Sequence, residues 1–255
     1  MKIGVVFACV LVSAVVLTAR ATGGELITVE GQIFRWGGPK TGEPETVTYA
    51  VLQSSYAIPS GAISLSPDNC GSMLPFADIV AASPNLTPEK ALGELIVGFA
   101  AWESAAEIKF VQVDDPLLAN IVIGAAHAPS GRAFANLAYR RNQNAQPVVK
   151  ALGKSEHDNR NVGKVEERGR RIVEIEQAFV CLSPTVPWKI GFDGDLSVYD
   201  LKHTFVHEIG HAIGLDHPGR TGSAMSYRYD ERATGLQPGD IKAVQSLYGT
   251  KSGVW

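Results

Sequence analysis

The stretch HTFVHEIGHAIGLDHPG, residues 203 to 219, holds four of the chain's six histidines together with one glutamate. In a helix, His207 and His211 project from one face one turn apart, so their imidazole nitrogens can converge on a single ion. Glu208, next to the first of them, can address the ion's remaining position without being a ligand. Gly214 lets the backbone leave the helix in a left-handed conformation, and the chain can then turn back to bring His217 to the same centre. Three neutral imidazoles leave the fourth tetrahedral position to water, the composition of a catalytic rather than a structural zinc site. The carboxylate can take a proton from water as it attacks a carbonyl and pass it to a leaving amine, while the ion polarises the carbonyl. His203, one turn earlier, reads as a supporting or packing residue because the ligand set is already complete. The alternative is a helix that merely contains histidines. H-E-x-x-H alone is moderately specific, but H-E-x-x-H-x-x-G-x-x-H fixes five positions.

The compartment decides what such a site means. Lys2, the apolar run IGVVFACVLVSAVVL and the small residues Ala19 and Ala21 have the pattern of a secretory signal peptide over residues 1–21. An uncleaved anchor is the other reading, although the apolar run is short for a span. Cleavage removes Lys2 and Arg20 and moves the formal charge from -3 to -5. Such a domain has no electrostatic reason to bind nucleic acid or anionic lipid, and no stable membrane insertion is expected after cleavage. Cys9 leaves with the signal, so Cys70 and Cys181 remain, an even pair that suggests a disulfide in an exported protein. Closing so long a loop could contribute about 4 kcal/mol. Two unpaired thiols are the alternative.

The elements that must position the site can be sketched from periodicity. Residues 22–45 form an N-terminal extension with one strand and a Gly/Pro-rich turn region, and residues 46–255 read as one catalytic-sized domain. TVTYAVL (46–52) alternates as a strand with two unlike faces. Thr87 caps and Pro88 opens a helix over 88–104 whose stripe is Leu92, Leu95, Ile96, Phe99 and Trp102. IKFVQV, ANIVIGAA and RAFANLAY follow as strands. Residues 140–174 are polar and rich in cations, which reads as a solvated loop or a protruding hairpin.

At HEIGHAIGLDH the chain resembles the metzincin metallopeptidases, whose motif continues to a downstream methionine turn. SAMSY, with Met225 eight residues beyond His217, looks like that turn, which implies that Met225 floors the metal site. LTPEKALGELIVGFAAWESAAEIKFVQV is similar to the first helix and following strand of matrixin catalytic domains, and LQPGDIKAVQSLYG to their closing helix. The resemblance covers roughly residues 46 to 249. Pro218 after the third histidine and Tyr227 after the methionine look more like serralysins. In serralysins and astacins a tyrosine at this place can ligate zinc and swing out to stabilise the oxyanion, which implies that role for Tyr227; a plain wall tyrosine is the alternative. Tyr229 stands where matrixins have a tyrosine lining the S1′ pocket. The departures are an unrecognisable propeptide, no calcium-binding glycine repeats, and NCGSM (69–73), which is similar to a latency switch but follows the first strand. A thiolate from Cys70 on the metal is the alternative to its disulfide with Cys181. Asp193 and Asp195 in FDGD could bind Ca2+ or make a turn.

The resemblance implies an α+β, metzincin-like fold with a mixed twisted sheet, a backing helix, an active-site helix and a C-terminal helix. It implies one catalytic zinc held by His207, His211 and His217, Glu208 as base, and a secreted, extracellular or periplasmic monomeric endopeptidase acting on extended protein or peptide segments. With RAFANLAY as the edge strand above the cleft, a substrate could add to it as a further strand. A narrow-specificity processing or toxin-like protease and a non-catalytic zinc-containing binding module are the rival readings.

Overall fold

The computed structural model describes residues 24–29, 31–58, 69–127, 129, 131–139, 148–152, 171–219 and 221–251. The signal-peptide reading for 1–21 lies outside the described residues, as does most of the polar insertion. In chain order the strands are β1 (Glu25–Leu26), β2 (Thr28–Val29), β3 (Gln32–Arg35), β4 (Glu45–Val51), β5 (Tyr56–Ala57), β6 (Ser72–Met73), β7 (Ile108–Gln112), β8 (Ile121–Ala125), β9 (Ala133–Tyr139), β10 (Val148–Leu152), β11 (Arg171–Leu182), β12 (Trp188–Lys189), β13 (Tyr199–Asp200) and β14 (Leu215–Asp216). The helices are α1 (Pro88–Ala105), α2 (Leu201–Ala212) and α3 (Pro238–Tyr248), so the α+β class holds.

The main sheet runs β10-β9-β11-β8-β4-β7, and β3 pairs with the first half of β11. β11, β8, β4 and β7 are parallel, whereas β9 is antiparallel to β11 and β10 to β9. β8 is buried at every position, as expected of a strand covered on both faces. The N-terminal extension is thereby part of the same sheet. Arg35 anchors it by donating from its buried guanidinium to the carbonyls of Gly38, Lys40 and Glu43.

α1 begins as its sequence indicates, with Thr87 Oγ1 accepting from Lys90 N at 3.3 Å. Its buried stripe is Ala91, Leu95, Gly98, Phe99, Trp102 and Ala105, while Ile96 is 49 % exposed. The stripe is rotated from the expected one because small residues let α2 approach closely: a Cβ on Gly98 would press on Phe205 and Ile209. Phe99 stacks on Tyr49 of β4 and tilts against Phe110 of β7, fixing α1 on the sheet. Trp102 Nε1 donates to the carbonyl of Val206 at 2.9 Å and ties α1 to α2.

Two expectations need correcting. RAFANLAY is not the sheet's edge: β10, supplied by the polar insertion, pairs along the outer side of β9 from Tyr139 to Ala135. β11 carries no strand reading above, because its first half mixes charges with apolar residues. It is nevertheless the longest described strand, with Val173 and Ile175 buried between exposed glutamates.

Candidate metal and active site

α2 carries the first two histidines. Its N-terminus is capped by Asp200, whose carboxylate accepts from His203 N at 2.7 Å and from Gly191 N at 2.7 Å. Its C-terminus is finished by Gly214 at φ 101°, where a Cβ would also overlap the carbonyl of Phe34. Glycine is therefore required there twice over. The chain then runs through β14, which pairs antiparallel with β1, and delivers His217. Trp36 Nε1 donates to Ala212 O and Tyr248 OH to Ile213 O, holding this turn from behind.

The Nε2 atoms of His207, His211 and His217 lie 3.1 Å from one another in all three pairs. His207 Nδ1 meets the carbonyl of Ala224 at 2.8 Å and His211 Nδ1 that of Leu215 at 2.8 Å. Carbonyls only accept, so both Nδ1 atoms carry hydrogens and both Nε2 atoms present lone pairs to the same point. Burial holds His207 down to about 3, His211 well below its ordinary value, and His217 below it despite the neighbouring Asp216 carboxylate. Protonation therefore does not relieve the crowding of lone pairs. A cation does: tetrahedral ligands at about 2.05 Å from zinc stand about 3.3 Å apart, within a few tenths of the spacing here. The donor set fits zinc, and the three ligand atoms form a group able to hold a metal ion.

Beneath them, Met225 is buried with its thioether against Gly210, where any Cβ would overlap Met225 Sδ and crowd Trp102. The tight turn Ser223–Ser226 is fastened by the buried carboxylate of Asp240 in the first turn of α3. It accepts from Ala224 N at 3.0 Å and Gln237 N at 2.9 Å, and from Ser223 Oγ. Ala224, whose carbonyl receives the His207 Nδ1 hydrogen, is thus located by α3. Gly210 and Asp240 were not singled out from sequence. A glycine inside a helix and an acid at the third position of a helix are the signals that mark them.

Glu208 lines the same cleft of about 380 Å³ and is 6 % exposed. Burial alone pushes its carboxyl up to about 8. Tyr227 is 66 % exposed, with its ring 5.4 Å from that of His217 at 85°. Tyr229 lines the same cleft. It stacks on Tyr199, meets His203 edge-on, accepts from Asp200 N at 3.0 Å and donates to Glu231 at 2.9 Å. His203 stands outside the histidine triad, against Tyr229 and Phe192.

Cys70 and Cys181 are joined in a disulfide, so the Cys70 thiolate is not free to reach a metal. Asp193 and Asp195 build a turn, with Asp195 N on Asp193 Oδ1 and Ser197 N on Asp195 Oδ1. The Lys189 ammonium bonds Asp193, the Asp195 carbonyl and Glu231.

Parts of this chain are similar to known proteins. Metalloendoproteinase 4-MMP of Arabidopsis thaliana is 27 % identical over 172 residues, 66 % of this chain and 43 % of the relative. The probable matrix metalloproteinase 095L of Invertebrate iridescent virus 3 is 39 % identical over 74 residues, 28 % of this chain and 19 % of the relative. Human matrix metalloproteinase-21 is 52 % identical over 50 residues, 19 % of this chain and 9 % of the relative. The chain thus spans less than half the length of each of these relatives. The matrixin family model covers residues 76–249, from the segment before α1 through the end of α3, including the three histidines, Glu208 and the Ser223–Ser226 turn. An α+β sheet backed by α1, three histidines on one centre and a match over most of the chain lead to one conclusion: this protein belongs to the matrixin family.

Proposed function

We propose that this chain is a zinc-dependent endopeptidase that hydrolyses peptide bonds in extended polypeptide segments. The observation that carries this reading is the meeting of three imidazole Nε2 atoms at 3.1 Å in one cleft with the buried carboxyl of Glu208. His207, His211 and His217 would hold the ion. Bound zinc supplies Lewis acidity, which polarises a carbonyl and makes water acidic enough to be deprotonated near neutral pH.

The rest is done by the chain itself. The Glu208 carboxylate accepts the proton released when water attacks the substrate carbonyl, and then donates it to the departing amine nitrogen, so it ends the cycle as it began. Tyr227, exposed at the mouth with its ring beside that of His217, would donate its phenolic hydrogen to the oxygen on which charge develops. Tyr229, its hydroxyl already engaged, offers an aromatic wall to a substrate side chain. Action outside the cytosol is supported by the Cys70–Cys181 disulfide and by the N-terminal signal pattern. The retained glutamate favours catalysis over a zinc-containing binding module.

The test is cleavage of a mixed peptide library by the mature chain, with and without a zinc chelator, beside Glu208→Ala. Chelator-sensitive cleavage that disappears in the variant, while the variant still binds zinc, is the expected result. A folded, zinc-loaded wild type that cuts nothing in the library would overturn the reading.

A further inference from the structure

We infer that strand β10 closes one half of the track on which an extended substrate lies, so that on that side only the backbone opposite Gly131–Phe134 is open to it. The inference rests on the reading of the cleft as a peptide track and says how far that track reaches. An extended chain gains main-chain hydrogen bonds by adding to an unpaired strand edge. Here β9 has none to offer beyond its first residues. On its inner side β11 pairs from Ala133 to Tyr139, and on its outer side β10 pairs in register from Leu152↔Ala135 to Val148↔Tyr139. Among the described residues of this segment, Gly131, Arg132, Ala133 and Phe134 line the histidine cleft, and pairing with β10 starts at the next residue, Ala135, opposite Leu152.

A peptide laid along β9 beside the histidines therefore meets the end of β10 head-on at Ala135. At about 3.3 Å per residue the open stretch is roughly 13 Å, room for about four substrate residues. To go further, the peptide must step sideways by one strand spacing, about 4.8 Å, onto the outer edge of β10 and away from the histidines. The substrates that fit are those with few residues on that side of the cleaved bond: short peptides and the ends of chains, or segments whose backbone bends away at that point. On the other side of the bond β10 imposes no limit. This holds whichever way the substrate chain runs, because the block is set by which strand occupies the edge.

The experiment uses a series of fluorescent peptides around one cleavable core, lengthened one residue at a time from either end. Affinity is measured on the zinc-loaded Glu208→Ala chain, and kcat/KM on the otherwise native one. Both are repeated with Val149→Pro and Lys150→Pro combined, which must remove one inward-facing ladder donor because successive residues bond to opposite sides. A second chain replaces residues 141–169 with a short Gly/Ser loop. Retention of zinc and of the Cys70–Cys181 disulfide checks that each variant is folded. Binding is expected to strengthen by roughly threefold to tenfold for each added pairing residue at one end, and to stop gaining after about four residues at the other. In the chains lacking β10 the stopped end should resume its gain, reaching at least about tenfold for the longest peptide. Continued gain at both ends in the chain with β10 intact, or the same stop after β10 is removed, overturns the inference. A wild type that cleaves no peptide, beside a Glu208→Ala chain that binds with the expected asymmetry, would sink the endopeptidase reading and leave the role of β10 standing. Absence of binding by every peptide would overturn both.

Discussion

Glu208 and the three histidines titrate in opposite senses when metal is stripped from the site, and that gives the residue scale a test independent of catalysis. Between its ordinary value of 4.5 and about 8, folded Glu208 keeps a proton that the unfolded chain has released, so its contribution weakens stability as pH rises. The histidines run the other way. His207 stays neutral in the fold down to about 3 while the unfolded imidazole gains a proton below 6.5, so stability falls as pH drops beneath 6.5. From about pH 7.5 to 8 the unfolded imidazoles are nearly neutral and the glutamate dominates. Denaturant unfolding of chelator-treated wild type should lose stability across that window by at most ~1.4 kcal/mol per pH unit, and Glu208→Gln should flatten the slope. An unchanged slope in the variant would remove Glu208 as its source. Tyr227→Phe addresses the proposed oxyanion donor: kcat should fall about a hundredfold with little change in KM and none in zinc affinity, since only a transition-state contact is lost. A change confined to KM would make Tyr227 a wall residue. Glu208 and the three histidines were legible in the sequence because one helix and one turn set their spacing, whereas the role of Tyr227 is implied by family resemblance alone.

At the scale of elements, the site depends on partners that come from far along the chain, and here the sequence speaks less plainly. Helix α1 was readable from its cap and its aromatic stripe, yet its orientation was not. Whether Ile96 or Gly98 faces inward depends on how closely α2 approaches, which only the packed pair decides. β11 was missed because a strand with one half beside β3 and the other in the sheet's centre has no single alternation. β10 lies in a charged insertion for which composition leaves a solvated loop and a protruding hairpin both open, and its pairing with β9 is the hairpin. Gly210 is the point where elements meet, with Met225 below and Trp102 behind it. Gly210→Ala leaves α2 its helix propensity but forces the thioether aside, so the cost is one of overpacking, about 1–3 kcal/mol, against a propensity gain of about 1 kcal/mol. Thermal unfolding of the zinc-free chain should show the net loss, and chelator competition should show weakened zinc binding as α2 shifts from the methionine turn. A variant as stable as wild type with unaltered zinc affinity would show that the packing at Met225 yields freely.

For the whole molecule, the disulfide is the one covalent link between the segment after β5 and the middle of the sheet, and it closes a separation of 111 residues. The segment it anchors is also held by the bridge between Leu74 and Ala125 and by the Asn136 side chain on the Asn69 carbonyl. The zinc site is fastened by other means: Asp200 at the start of α2, Trp102 at its back, Asp240 at the methionine turn. Removing the disulfide should therefore lower global stability while leaving zinc affinity nearly intact. Loop-closure entropy sets the expected loss for Cys70→Ala with Cys181→Ala at about 4–5 kcal/mol. A second term rides on it, because Cys70 sits at φ 57°, a left-handed conformation that costs a residue with a Cβ about 1–2 kcal/mol. The cross-link helps hold that conformation; once it is gone, alanine bears the same strain and glycine does not. Cys70→Gly with Cys181→Ala should then be more stable than the double alanine chain by about 1 kcal/mol, despite the greater flexibility of glycine when unfolded. Urea unfolding of the three chains measures both terms. If the glycine chain is the less stable, residue 70 relaxes out of the left-handed region when the disulfide is lost, and the strain belongs to the cross-link rather than to the fold around it.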